Sequence, residues 1–269
     1  MSYYIPKGGL PDQSQRLYTS RMSDWWALIP ANTQSDITTS FFPGWTKTRG
    51  WVIARPLTGF AETFSQTIME VAPGGGSDTP ETDPRAEGVI FVVGGAVRLS
   101  LNGAVHDLEA GGYAYIAAGA DRTLRNRGTS PATFHWIRKV WEDALGLTKP
   151  ASFVASDTTT PVAWMAGTGD TWGTTRFVAL DDLAHDMHVT IVTLKPGAVI
   201  PFAETHVMEH GLYVLQGRGR YLLNEDWVDV GPGDFMWLRA FCPQACEALP
   251  GEDFRYLLYK DVNRMPRLW

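Results

Sequence analysis

The chain repeats itself, and that repeat limits the fold more than any other feature. Ala86-Glu-Gly-Val-Ile-Phe-Val-Val-Gly-Gly95 matches Met208-Glu-His-Gly-Leu-Tyr-Val-Leu-Gln-Gly217 at a constant offset of 122 (209 − 87). At that offset Glu87 meets Glu209, Phe91 meets Tyr213, and Gly95 meets Gly217. The offset also pairs Leu101-Asn102 with Leu223-Asn224, Gly111 with Gly233, Tyr113 with Phe235, and Tyr115 with Trp237. Pro73-Gly74 matches Pro196-Gly197 with a one-residue slip. Two copies of one structural unit are therefore expected in tandem.

Each copy reads as β. Val89–Val93 and Leu212–Leu215 are short apolar runs that end in glycine turns. Val97–Leu101 followed by Asn102-Gly103 is a hairpin signal. Several short strands per copy, bounded by Gly, Pro, Asn or Asp, predict an all-β fold of two tandem antiparallel jelly-roll barrels. The expected divisions are an N-terminal arm (1–48), a first barrel (49–145), a linker (146–165) and a second barrel (166–269). The 11 Trp, 17 Pro and 27 Gly suit strands and turns better than a helical bundle.

The two copies differ in their chemistry. Glu204-Thr-His206-Val-Met-Glu-His210 places three possible metal ligands at i, i+2 and i+6, just ahead of an apolar strand. Residues two apart on extended chain share a face, so Glu204 and His206 project together and His210 can rejoin them across a bend. Two imidazoles and a carboxylate suit an open divalent-metal site. The first copy keeps the fold signals but has roughly Thr82, Pro84 and Gly88 at these positions, so it holds no metal and is read as structural. His106, His135, His185 and His188 lie off the motif and read as ordinary strand or surface histidines.

Composition narrows the partners. A net charge of −6 argues against nucleic acid and anionic membrane. No window of 18 apolar residues suggests a membrane span, and the first residues lack the plan of a secretory signal. Cys242 and Cys246 are too few for a disulfide scaffold and read as small buried hydrophobes, which fits a cytoplasmic setting. Edge strands and many Trp lead us to expect a homo-oligomer.

Two barrels, each with a Pro-Gly turn, a ligand segment and a later glycine turn, resemble the cupin superfamily, here a bicupin. Counted from Gly233, the second cupin motif places its ligand at Gln244. Glu in place of the first His and His in place of the usual Glu is an uncommon order, and it resembles the (S)-ureidoglycine aminohydrolases. The resemblance covers about residues 50–265 and includes the closing run 259–264. It implies Mn²⁺ held in the second barrel only, by Glu204, His206, His210 and Gln244. It also implies substrate contacts at Glu204, Gln244, Tyr256 and Lys260, with Glu204 and Lys260 in catalysis. The implied substrate is a small anionic molecule, ureidoglycine, which is converted to ureidoglycolate and ammonia in purine (allantoin) degradation. Two other readings fit the same ligands. One is an Fe(II) dioxygenase and the other a bicupin that binds a small ligand without turning it over.

Overall fold

The computed structural model describes residues 2–9, 20–34, 39–40, 42–57, 59–261 and 264. Within them nearly all regular structure is antiparallel β, with a single 3-10 turn at Ala31–Thr33. No described helix is long and apolar enough to cross a membrane.

The repeat is preserved strand by strand. Shifted by 122, Ala96–Leu101, Ala104–Glu109, Arg122–Arg125 and Ala132–Val140 fall on Gly219–Leu223, Asp226–Val230, Gln244–Ala248 and Phe254–Asp261. The hairpin expected at Asn102-Gly103 forms, with Leu101 paired to Ala104 and positive φ at both turn residues (49° and 83°). Asn224, its counterpart, has φ 59°. Asn tolerates that left-handed region, which explains why both copies keep it there, although Glu225 follows in the second copy where Gly103 follows in the first.

Ser65–Ser77, Ala86–Gly94 and Ala132–Val140 sit at the centre of a ten-stranded sheet that forms the first barrel. The second barrel combines an eight-stranded sheet with a three-stranded one, in which Gly219–Leu223 lies between Asp226–Val230 and Gln244–Ala248. Every residue of Met187–Leu194 is buried, because both faces of that strand are covered. Met187, Val189 and Ile191 pack into a core shared by the two barrels, whereas Val192 and Leu194 face the interior of their own barrel. The pairs Phe91/Tyr213, Tyr113/Phe235 and Tyr115/Trp237 all lie in that shared core. The aromatics that keep the repeat's register thus form a pseudo-twofold interface.

The barrels exchange edge strands. Trp26–Ile29, which precedes the first barrel, pairs with Phe235–Leu238 of the second. Phe153–Ser156, which precedes the second barrel, pairs with the equivalent strand Gly112–Ile116 of the first. Each exchange covers an edge that would otherwise be open. A buried clamp secures the arrangement. Arg255 reaches both Asp157 carboxylate oxygens (2.9 and 2.7 Å), and Tyr3 donates to the same group at 2.6 Å.

Candidate active site

Three neighbouring strands form the floor of the second barrel. His188 of Met187–Leu194 is in register with Lys260 of Phe254–Asp261, and Lys260 is in register with His210 of His210–Gln216. Directly opposed residues share a face, and alternate residues of these strands (Val192, Val214, Tyr256) belong to the barrel's inner core. Lys260, Tyr256 and His210 therefore point inward, as their spacing suggested. The segment ahead of His210 is held by backbone bonds at two places. Glu204 and Gln244 exchange N–H···O bonds of 2.9 Å, and Phe241 N–H donates to the His206 carbonyl at 2.7 Å.

This backbone brings the predicted ligands together. His206 Nε2 lies 3.2 Å from His210 Nε2 and 3.0 Å from Gln244 Nε2. Two ligands at right angles around one ion, each about 2.1 Å away, stand about 3 Å apart, so this spacing fits a shared cation. Gln244 Oε1 accepts from the Tyr221 hydroxyl at 2.9 Å. Turned by half a rotation, the amide would present its oxygen to the ion, and Tyr221, able to accept as well as donate, would keep a partner. Among the described residues no three His, Cys, Asp or Glu side chains gather by themselves. The converging set is two imidazoles and one amide. The Glu204 carboxylate lies close enough for its charge to act on both His206 and Lys260. The residues present fit a divalent cation.

Electrostatics favour the ligating forms. Burial, reinforced by His206 and Lys260, pushes the His210 pKa down to about 3. Burial also lowers His206, with Glu204 partly opposing it. Neutral imidazoles with free lone pairs result. Burial and the nearby Arg176 lower the Lys260 pKa, while Glu204 raises it. Below the ligands, Tyr256 is buried with its hydroxyl 4.0 Å from Cys246 Sγ, and its ring meets Tyr221 edge-on at 5.8 Å. Cys242 and Cys246 are free and buried, their thiols pushed up to about 11 and about 12 by burial.

Two other side chains at this mouth fall outside the ligand motif. Arg176 donates to Thr174 Oγ1 at 2.7 Å, and among the described residues no carboxylate pairs with it. Tyr221 orients Gln244. A period-2 reading of Trp172–Thr175 and Gly219–Leu223 could have put both on an inner face, but it could not have said which strands lie beside them.

The first barrel fills the equivalent place with ions of its own. Arg138 and Arg122 stand at the positions of Lys260 and Gln244, since 260 − 138 and 244 − 122 both equal 122. Arg138 forms a bidentate pair with the buried Glu81, Arg122 approaches the same carboxylate at 4.0 Å, and Trp136 lies under the Arg138 guanidinium. The cavity left beside Trp45 and Trp136 is about 10 Å³, about the size of one water. A cleft of about 990 Å³ lies elsewhere, between the arm and Trp227–Asp234. Its lining includes Arg21, Arg218, Arg220, Asp229 and Asp234, charged side chains of both signs, whereas imidazoles and an amide converge at the barrel mouth.

Two fused antiparallel barrels with donors at one mouth define a bicupin. A family model described as a cupin domain matches residues 67–138 and 190–258. The chain is 31% identical to (S)-ureidoglycine aminohydrolase of Arabidopsis thaliana over 83% of its own length and 72% of that protein. It is 26% identical to the Escherichia coli protein of the same name, covering 86% and 87%. A solved structure of a glyoxylate-induced protein from Pseudomonas aeruginosa shares 54% identity, covers 100% of this chain and 99% of that one, and superimposes with a TM-score of 0.94. The chain belongs to the cupin superfamily and, within it, to the (S)-ureidoglycine aminohydrolase family of hydrolases.

Proposed function

We propose that the second barrel hydrolyses (S)-ureidoglycine to (S)-ureidoglycolate and ammonia, with Mn²⁺ held by Glu204, His206, His210 and Gln244. The observation that carries this reading is the convergence of His206, His210 and Gln244 beside Glu204 and Lys260, at the mouth of one barrel and not the other. A divalent ion bound there supplies Lewis-acid charge and, with one carboxylate ligand, a net charge of about +1 that favours an anionic substrate.

The protein's own groups do the rest. Lys260, with the like-charged Arg176 close by, attracts the substrate carboxylate and fixes its orientation. Glu204 accepts a hydrogen bond from the substrate amine or the incoming water and can take the proton that water releases. Tyr221 holds the Gln244 amide in place, and Tyr256, whose ring packs against Tyr221, would supply a hydroxyl to the ureido or carboxylate group. Water replaces the amine on the carbon that bears the carboxylate, and ammonia leaves with the proton. Reduced, buried thiols suit a cytoplasmic enzyme.

The test is ammonia release from freshly generated ureidoglycine in the presence of Mn²⁺. Wild-type protein is expected to turn it over, and His206→Ala to lose most of that rate. Wild-type turnover by the variant would refute the scheme.

A further inference from the structure

His188 stands at the end of the row His188–Lys260–His210, on the inner face of the second barrel. Only 2% of it is exposed, and neither ring nitrogen has a hydrogen-bond partner among the described residues. An unmade hydrogen bond at a buried polar group is unfavourable, so two on one ring are a standing cost to the fold. Close by, Tyr221, Gln244, His206 and His210 are linked in an unbroken chain of polar contacts. The corresponding row of the first barrel, by register, is Ser65–Arg138–Gly88. An imidazole at this place occurs only in the barrel that also carries the ligands.

We infer that His188 is a substrate-binding residue that holds the ureido end of the acid whose carboxylate meets Lys260. The inference rests on the function proposed above and names a further contact within that site. Adjacent strands are about 4.8 Å apart, so His188 and His210 are separated by roughly 10 Å with Lys260 midway. A ligand group, an ammonium and an imidazole in line suit the amine, carboxylate and ureido groups of one small acid. A ureido group offers a carbonyl acceptor and N–H donors, and a neutral imidazole offers the matching donor and acceptor. Burial, then the charges of Lys260 and His185 against the weaker opposing one of Asp182, holds the ring neutral, its pKa near 4.

The probe is hydantoate (N-carbamoylglycine), which has the ureido and carboxylate groups but no amine, titrated into the Mn²⁺-loaded protein by calorimetry. Acetate is the control without a ureido group. His188→Leu is expected to weaken hydantoate binding about tenfold or more while acetate and Mn²⁺ affinities stay within about twofold. His188→Gln, which keeps a donor and an acceptor, should recover most of the loss. In wild-type protein, hydantoate should shift the ¹⁵N resonances of the His188 ring, a readout that needs no variant to fold.

Absent hydantoate binding, an unmoved His188 resonance, or equal loss of hydantoate and acetate would each overturn the assignment. Ammonia release from ureidoglycine by a protein whose hydantoate binding ignores His188 would remove the subsite and leave the reaction standing. His188-dependent hydantoate binding without turnover would do the reverse.

Discussion

Glu87 has the same place in the first barrel as Glu209 has in the second, yet the two carboxyls are surrounded differently. Glu209 accepts from the backbone N–H groups of Glu62 (2.7 Å) and Thr63 (2.9 Å), from Trp237 Nε1 (2.6 Å) and from the Thr63 hydroxyl. Glu87 is fully buried and, among the described residues, accepts only from Tyr115 (2.6 Å), leaving its Oε1 without a partner there. Burial, then the negative charge of Asp186, raises its pKa from 4.5 to about 8, against the opposing pull of Tyr115, Lys139 and Arg264. Between those values the folded chain keeps a proton that the unfolded chain gives up. Stability is therefore full below pH 4.5 and falls as pH rises towards 8. At about 1.36 kcal/mol per pH unit the loss is at most roughly 5 kcal/mol, of which about 3 kcal/mol has gone by pH 7. Glu87→Gln keeps the shape and an acceptor for Tyr115 but cannot ionise. Urea denaturation of both proteins at pH 5, 7 and 9 isolates the effect as a difference, since other titrating groups are common to both. The variant is expected to gain on wild type by several kcal/mol from pH 5 to pH 9. Parallel stability curves would refute the argument that this carboxyl is held neutral.

The remaining predictions concern the clamp and the site. Arg255→Met leaves Asp157 buried without its ion pair and should cost about 3–5 kcal/mol, read as a fall in Tm of roughly 10 °C; adding Asp157→Leu should recover much of it. Tyr221→Phe removes the hydroxyl that partners the Gln244 amide and should weaken Mn²⁺ binding about 10–100-fold with the fold intact, measured by metal titration and circular dichroism. A Cβ on Gly211 would lie 2.5 Å from Phe64 Cζ, so Gly211→Ala should destabilise by about 1–3 kcal/mol and shift the neighbouring His210, lowering Mn²⁺ affinity as well as Tm.

How much of this was legible in the sequence depended on whether the signal was local. The offset of 122 carried the strands, the turns at Asn102 and Asn224, and the aromatic pairs, because one unit folded twice must meet the same local constraints twice. Glu204, His206 and His210 were legible because strand spacing and one bend decide where they point. Gln244 became a ligand candidate only by counting along a family motif, and the structure holds it there through the backbone bridge to Glu204. Arg176 and His188 could not be picked out, since their surroundings come from the strands beside them and nothing local announces that register. The strand exchange was equally hidden. Trp26–Ile29 reads as a short apolar strand, and no local rule says which barrel it joins.

The asymmetry between the barrels follows from a single charge argument. A cupin mouth gathers polar side chains on inward-facing strands, and that gathering needs a compensating charge to be stable. In the second barrel, neutral imidazoles and an amide leave room for a cation from solution. In the first, the guanidinium of Arg138 meets the buried Glu81 and Arg122 stands in place of the amide, so the positive charge is covalently attached to the chain. A fixed guanidinium satisfies the carboxylate but offers no open coordination position, and the tryptophans around it leave no space for a substrate. On the function proposed above, one barrel holds an exchangeable charge, while the other carries a fixed one and serves as the wall against which its neighbour is held. Restoring ligands to the first barrel would therefore require replacing Arg138, Arg122 and Glu81 together, because Arg122 occupies the position of Gln244 and the buried Glu81 carboxylate is shared between the two guanidinium groups.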